Sequence, residues 1–253
     1  MKRQILNYLK QHNLTDTKVV DSLIVSVFLR YKDIEVKNNC LLIEYLEHPF
    51  KNKESLIQEL LEIISKQENA FGFEELIQLF EFVISPADRI VNGAIYTPKI
   101  IRDFIINQTV NKNNAKSLTS SVIVDIACGC GAFLFDVAIL LKRKTQLSYQ
   151  KIFEENLYGL DIEAYSIART KLLLSLLALS EGEDANFTFN LFIGDALSFV
   201  WQDHINSFQG FDFILGNPPY VASRHLTDET RKLITKRVTC QSGNPDLYIP
   251  FFE

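Results

Sequence analysis

Ser121-Val122-Ile123-Val124-Asp125-Ile126-Ala127-Cys128-Gly129-Cys130-Gly131-Ala132-Phe133-Leu134 is the stretch that sets the fold class. A short apolar run closes on an acidic residue and two glycines, and Phe133 to Lys142 then reads as a helix. The pattern repeats downstream. Asn156 to Leu160 reads as a strand, Ala164 to Leu179 as an amphipathic helix, and Asn190 to Ile193 and Phe211 to Leu215 as two further strands. Strands alternating with helices predict a parallel, doubly wound α/β sheet, which takes its ligands at the carboxyl ends of its strands.

Upstream the texture is helical. Ile5 and Leu9, then Val20, Leu23, Ile24, Val27 and Phe28, recur at helical spacing. So do Leu56, Leu60, Leu61 and Ile64, followed by Leu76, Ile77, Phe80 and Val83, with Asn13, Pro49 and Asn69 to Gly72 as punctuation. These residues predict an all-α N-terminal domain over residues 1–90 and an α/β domain over 91–253, the new pattern starting near Pro86. Tyr96-Thr97-Pro98 opens a helix from Lys99 to Thr109, with Thr97 as N-cap and Pro98 at the first helical position.

Composition bounds the rest. The chain has 253 residues, 47% apolar and 23% charged, which excludes disordered, collagen-like and coiled-coil classes. A net charge of −5 excludes a chain whose whole task is to coat nucleic acid, so any such contact is local or belongs to another module. The cysteines are Cys40, Cys128, Cys130 and Cys240, without disulfide-framework or zinc-finger spacing, and Cys128-x-Cys130 lacks a second ligand pair. No metal is expected. Mixed polar sequence follows Met1-Lys2-Arg3, and the apolar run Leu172 to Leu179 is too short to span a bilayer. A soluble cytoplasmic protein without a membrane partner is the expectation.

Four residue groups fall at strand ends. Gly129 and Gly131 let backbone approach a ligand closely, though the third glycine of the dinucleotide fingerprint is replaced by Leu134 and the pair alone reads more readily as a tight strand-to-helix turn. Asp161, in Gly159-Leu160-Asp161-Ile162, suits a grip on ribose hydroxyls, and Asp195, in Gly194-Asp195-Ala196-Leu197, suits an adenine amino group; each alone also reads as a solvated strand end. The fourth group is Gly216-Asn217-Pro218-Pro219-Tyr220-Val221. Two prolines cannot continue a sheet and hold the backbone rigid. The Asn217 amide oxygen and the Pro218 carbonyl can accept from a substrate NH2, and the Tyr220 ring can stack on a planar substrate. The alternative is a proline turn with a packing tyrosine.

Residues 90 to 253 resemble gamma-class DNA adenine-N6 methyltransferases. The closest likeness is to the methylase part of fused type II restriction-modification enzymes, with type I modification subunits next. The resemblance implies a Rossmann-like class I methyltransferase fold that uses S-adenosylmethionine. It implies that Asp125 holds the methionine amino group with the backbone of Ala127, Gly129 and Gly131. Asp161 would bind the ribose hydroxyls, Ile162 the adenine ring, and Asp195 with Ala196 the cofactor's adenine amino group. Tyr96, Thr97 and Pro98 match the cofactor motif that precedes the glycine loop in this class. Asn217, Pro218, Pro219 and Tyr220 would form the catalytic loop, and Phe251, in Asp246-Leu247-Tyr248-Ile249-Pro250-Phe251, would close over the cofactor adenine. The implied activity is site-specific methylation of adenine N6 in double-stranded DNA, by base flipping, within a restriction-modification system.

Two departures from the family pattern are Ile126 in place of proline and Cys130 in place of serine. A larger one is the sheet, which has seven strands in this family. After Phe213 only one helix fits before Glu253, so the expectation is an incomplete domain whose remaining strands and target-recognition part lie in a missing C-terminal part or a partner subunit. Arg224, Arg231, Lys232, Lys236 and Arg237 form a local basic excess that reads either as phosphate contact or as a solvated helical face. The rival readings are a protein glutamine or RNA amino-methyltransferase, and a cofactor-binding subunit or inactive fragment that needs a partner chain.

Overall fold

The computed structural model describes residues 2–67, 70–83 and 95–253. The expected domain boundary at residue 90, the pattern start at Pro86 and the break at Asn69 lie outside the described residues. Among the described residues five helices come first: α1 (Lys2–Gln11), α2 (Thr17–Lys32), α3 (Cys40–Glu47), α4 (Lys53–Ser65) and α5 (Phe73–Phe82). Their starts are written in the sequence. Asp16 and Asn39 accept hydrogen bonds from the backbone N–H groups of Val19 and Leu42, capping α2 and α3. At α5 the Glu75 carboxylate accepts from the N–H of Gly72 at 3.0 Å.

Next come α6 (Lys99–Gln108) and α7 (Ala115–Thr119), then β1 (Ile123–Asp125), α8 (Ala132–Thr145), β2 (Leu157–Asp161), α9 (Ala164–Ser180), β3 (Asn190–Ile193), β4 (Phe213–Leu215) and α10 (Asp228–Ile234). The helix starts at Lys99 as expected, but its cap is Pro98 and not Thr97, because Pro98 is extended, with φ −56° and ψ 144°. The Thr97 carbonyl instead accepts from Arg102 Nη1 at 2.7 Å. β4 begins two residues later than expected, at Phe213; Asp212 leaves the strand and its carboxylate accepts from Val122 N at 2.7 Å.

The four described strands form one parallel sheet in the order β3-β2-β1-β4. Consecutive strands step outward from β1 to β3, and the chain then returns across the sheet to place β4 on the other side of β1. The order reverses between β1 and β4, and that is the crevice where open α/β sheets bind ligands. β4 pairs with β1 alone among the described strands, and Ile214 at its centre is 63% exposed.

One hydrophobic cluster runs from Ile5 to Leu215 and joins the helical segment to the sheet. α9 is the element between them. It reads as amphipathic, yet it is buried on nearly every side, because α2 and α3 cover the face that water would otherwise take. Its Arg169 is therefore buried and partnered across the joint. Arg169 Nε donates to the Asp21 carboxylate at 2.9 and 3.1 Å, and Arg169 Nη1 donates to the Phe80 carbonyl at 2.7 Å. A second tie is Arg102, fully buried on α6, which donates to Asp136 on α8 and Glu74 on α5, each at 2.7 Å. A third is Asp184, whose carboxylate accepts three consecutive backbone N–H groups, from Lys37, Asn38 and Asn39, ahead of α3. Among the described residues no helix is long and apolar enough to cross a membrane.

Candidate functional site

At the carboxyl ends of β1, β2 and β3 the chain makes the same local turn three times. Asp125 Oδ1 accepts from Ala127 N at 3.1 Å, Asp161 Oδ1 from Glu163 N at 2.9 Å, and Asp195 Oδ1 from Leu197 N at 2.9 Å. An aspartate that hydrogen-bonds the backbone two residues on fixes both the turn and its own carboxylate. Asp161 does more: Oδ2 accepts from Gly129 N at 2.8 Å, tying the end of β2 to the glycine loop after β1. Gly131, at φ +86°, opens α8, and its missing side chain leaves room for Thr170, whose hydroxyl donates to the Gly129 carbonyl.

The end of β4 closes on the end of β1. Gly216 has φ +148°, and a Cβ there would stand 2.5 Å from Asp125 Oδ1. Only glycine lets the turn into Asn217 pass the carboxylate. The Asn217 side-chain amine donates to the Ile95 carbonyl at 3.2 Å, so the amide is held with its oxygen as the remaining acceptor. The loop after Tyr220 is tied to the C-terminal motif: Leu247 N donates to the Val221 carbonyl and Asp246 accepts from Ser223 N.

These ends surround a cavity of 360 Å³, within the range of small-molecule sites. Thr97, Asp125, Ala127, Gly129, Asp161, Ile162, Asp195, Ala196, Asn217, Pro219 and Phe251 line it. Tyr96, Pro98, Gly131, Pro218 and Tyr220 are not in the lining. Tyr96 turns toward the helical segment, where its hydroxyl donates to Glu74 and its ring packs on Phe82. Tyr220 is 49% exposed at the rim, its ring centre 5.5 Å from that of Tyr248.

The charge of the cavity is one-sided. Glu81, Asp125, Asp161, Glu163 and Asp195 line it, and no lysine, arginine or histidine stands among the described lining residues. Burial pushes the Asp125 carboxyl up to about 7; the Ala127 N–H opposes this, and the charges of Asp161 and Glu81 add to it. Burial also pushes Asp161 up, against the N–H groups of Glu163 and Gly129. Burial raises the thiols of Cys128 and Cys130 well above their ordinary range, so both are core residues and poor thiolates. Carboxylates crowded this way favour a cationic ligand.

Sequence reading missed Glu81, Tyr165, Ser166, Thr227 and Thr230 in the lining. Tyr165 and Ser166 were findable, since the first turn of a helix that follows a strand-end aspartate faces the same crevice. Thr227 caps α10 through Thr230 N, and Thr-x-x-Thr at a helix start is a legible cap. Glu81 comes from the helical segment, far in sequence from the strand ends, and carries no local signal. The basic residues after the loop are partly committed: Arg231 donates to the Ser223 carbonyl and Arg237 to the Leu197 carbonyl.

Residues 155–253 match the Eco57I restriction-modification methylase family. The type II methyltransferase M.BstVI of Geobacillus stearothermophilus is 32% identical over 174 residues, covering 64% of this chain and 30% of that protein. The type II restriction enzyme and methyltransferase RM.Eco57I of Escherichia coli is 24% identical over 299 residues, covering 91% of this chain and 30% of that protein. This chain thus spans about a third of the length of both curated relatives. The crystal structure of the type IIG restriction endonuclease BpuSI superposes with a TM-score of 0.61 at 17% identity, over 98% of this chain and 31% of that one, a likeness of fold. The chain is thus similar to type II restriction-modification methyltransferases, and its match to the Eco57I restriction-modification methylase family covers residues 155–253.

Proposed function

We propose that the chain is the cofactor-binding and catalytic part of a DNA methyltransferase that transfers a methyl group from S-adenosylmethionine to the N6 amine of adenine. The observation that carries this reading is the opening of the Asn217 loop onto a cavity with five carboxylates and no described cationic side chain. S-adenosylmethionine fits that set: its ammonium and sulfonium are cations, and its ribose and adenine offer hydrogen-bond donors. When bound, it supplies an electrophilic methyl group. Asp125 would hold the ammonium, Asp161 the ribose hydroxyls, Asp195 the adenine amino group, and Ile162 and Phe251 the faces of the adenine.

The chain's own part in the chemistry is positioning. An adenine amine is a poor nucleophile because its lone pair is shared with the ring. The Asn217 amide oxygen and the Pro218 carbonyl would accept its two hydrogens and turn the lone pair toward the cavity, which is preorganisation without a strong base. The Ile95 carbonyl serves this by holding the amide's NH2 away from the target. Extruding a base costs a few kcal/mol, and stacking on Tyr220 at the rim would return ~1–3 kcal/mol. Double-stranded DNA is the proposed partner, and further chain that pairs along the open edge of β4 and covers Ile214 is the proposed source of target recognition.

The test is titration calorimetry of the chain with S-adenosylmethionine, with Asp161→Ala as control. Binding by the parent chain and its loss in the variant are expected. A parent chain that does not bind would overturn the reading of the cavity. Methylated nucleosides from treated DNA, separated by mass spectrometry, would then distinguish N6-methyladenine from other products.

A further inference from the structure

We infer that Glu81, on the last turn of α5, is a further cofactor-binding residue, and that its carboxylate acts with Asp125 on the ammonium of the ligand's amino-acid end. The inference rests on the proposal that the cavity takes S-adenosylmethionine. Glu81 lines that cavity although it belongs to the helical segment, far in sequence from every strand-end group. Its Oε1 accepts from Cys130 N at 3.2 Å, and a Cβ on Gly129 would stand 3.1 Å from the same oxygen. Gly129 is therefore open on the side from which Glu81 approaches, and the carboxylate reaches the loop backbone.

Its position selects the end of the ligand. Glu81 touches the loop that follows β1, and its charge acts on the Asp125 carboxyl. Asp161 and Asp195 stand at β2 and β3, so Glu81 and Asp125 form the acidic pair at the β1 end of the crevice. A glutamine would accept the Cys130 N–H as well as glutamate does. A carboxylate adds the charge that attracts an ammonium. Placement of Glu81 is over-determined: the Phe80 carbonyl, one residue before it, accepts from Arg169 Nη1, and Arg169 is itself locked to Asp21 of α2. The helical segment thus delivers a charge to the cofactor loop through a buried strut.

Calorimetry on the full chain with three probes tests this. S-adenosylmethionine and S-adenosylhomocysteine both carry the ammonium; 5′-methylthioadenosine lacks it. Glu81→Gln keeps the acceptor for Cys130 N and removes the charge. It should weaken the first two probes by about 10- to 100-fold, the worth of a charged hydrogen bond, and leave the third within about two-fold. Equal weakening of all three would mean a distorted loop and overturn the inference, as would an unchanged S-adenosylmethionine affinity. Thermal unfolding without ligand reports whether the variant is folded. If it is not, Glu81→Asp, which keeps the charge on a shorter arm, should show the same probe pattern with a smaller loss, and an equal loss on all three probes refutes the role. A parent chain that binds none of the probes would sink the reading of the cavity itself, a result distinct from a silent Glu81→Gln.

Discussion

Arg169→Met tests the joint between the helical segment and the sheet. The guanidinium and its partner Asp21 are each about 1% exposed, with Nε at 2.9 and 3.1 Å from the two carboxylate oxygens and Nη1 at 2.7 Å from the Phe80 carbonyl. Methionine fills much of the same volume and leaves Asp21 buried without its cation. Breaking a buried pair from one side costs about 3–5 kcal/mol. Burial already pushes Asp21 up to about 6, against the pull of Arg169, and removing Arg169 pushes it further in the same direction. The folded state then holds the Asp21 proton more tightly than the unfolded chain does. The stability this confers is complete below the unfolded value of about 4 and is lost as pH rises through the folded value. The variant should therefore lie closest to the parent at acid pH and furthest from it near pH 8. Urea unfolding followed by circular dichroism at pH 5 and pH 8 measures this. The double variant Asp21→Leu/Arg169→Met removes both charges and should be less destabilised than Arg169→Met alone. A single variant within about 1 kcal/mol of the parent at pH 8, or a double variant worse than the single, would refute the view of this pair as a buried strut.

Gly216→Ala forces a side chain into a left-handed backbone and against Asp125; a stability loss of about 1–3 kcal/mol or more is expected, with loss of cofactor binding, read by thermal unfolding and calorimetry. Cofactor affinity should strengthen as pH rises through about 7, because a cation favours the ionised form of Asp125, which burial holds near that value. Below that pH, affinity should fall by up to about ten-fold per unit, with proton release visible in buffers of different ionisation enthalpy, and a flat profile from pH 6 to 8 would contradict it. Tyr220→Ala should leave cofactor affinity unchanged, since the ring stands at the rim, and should lower the rate of methyl transfer to DNA by about 5- to 150-fold, the equivalent of lost base stacking.

The sheet was legible because β1, β2 and β3 each end in a signal with one physical cause. Asp125, Asp161 and Asp195 each turn the chain by accepting the N–H two residues on, so the residues that mark the strand ends also build the crevice. The Asn-Pro-Pro-Tyr loop was legible because two prolines cannot remain in a sheet. The packing of α9 was not, since its buried Arg169 depends on a helix that arrives from more than a hundred residues away. The cap of α6 was misplaced by one residue because Thr97 and Pro98 both suit a helix start, and the choice falls to the extended backbone at Pro98. Tyr96 belongs to the motif that the family resemblance brings to the cofactor, yet the lining of the cavity includes Thr97 and leaves out Tyr96, which packs on the helical segment.

The distribution of charge argues that the helical segment and the strand-end crevice are one functional unit. Asp125 and Asp161 carry a cost of burial that the strand-end turns meet only in part, with one or two backbone N–H groups each. Glu81 adds to that cost at Asp125, and the fold goes to some length to hold it there through Phe80, Arg169 and Asp21. A helical segment that merely covered α9 could do so with apolar contacts. Its last described helix instead brings one more carboxylate to the glycine loop, where it would add to the attraction for a bound cation. Ligand binding should therefore raise the cohesion of the whole cluster that runs from Ile5 to Leu215, the helices before the sheet included. Hydrogen exchange with and without S-adenosylmethionine should show added protection at α2 and α5 as well as at the strand ends, and protection confined to residues after Asp125 would contradict the coupling.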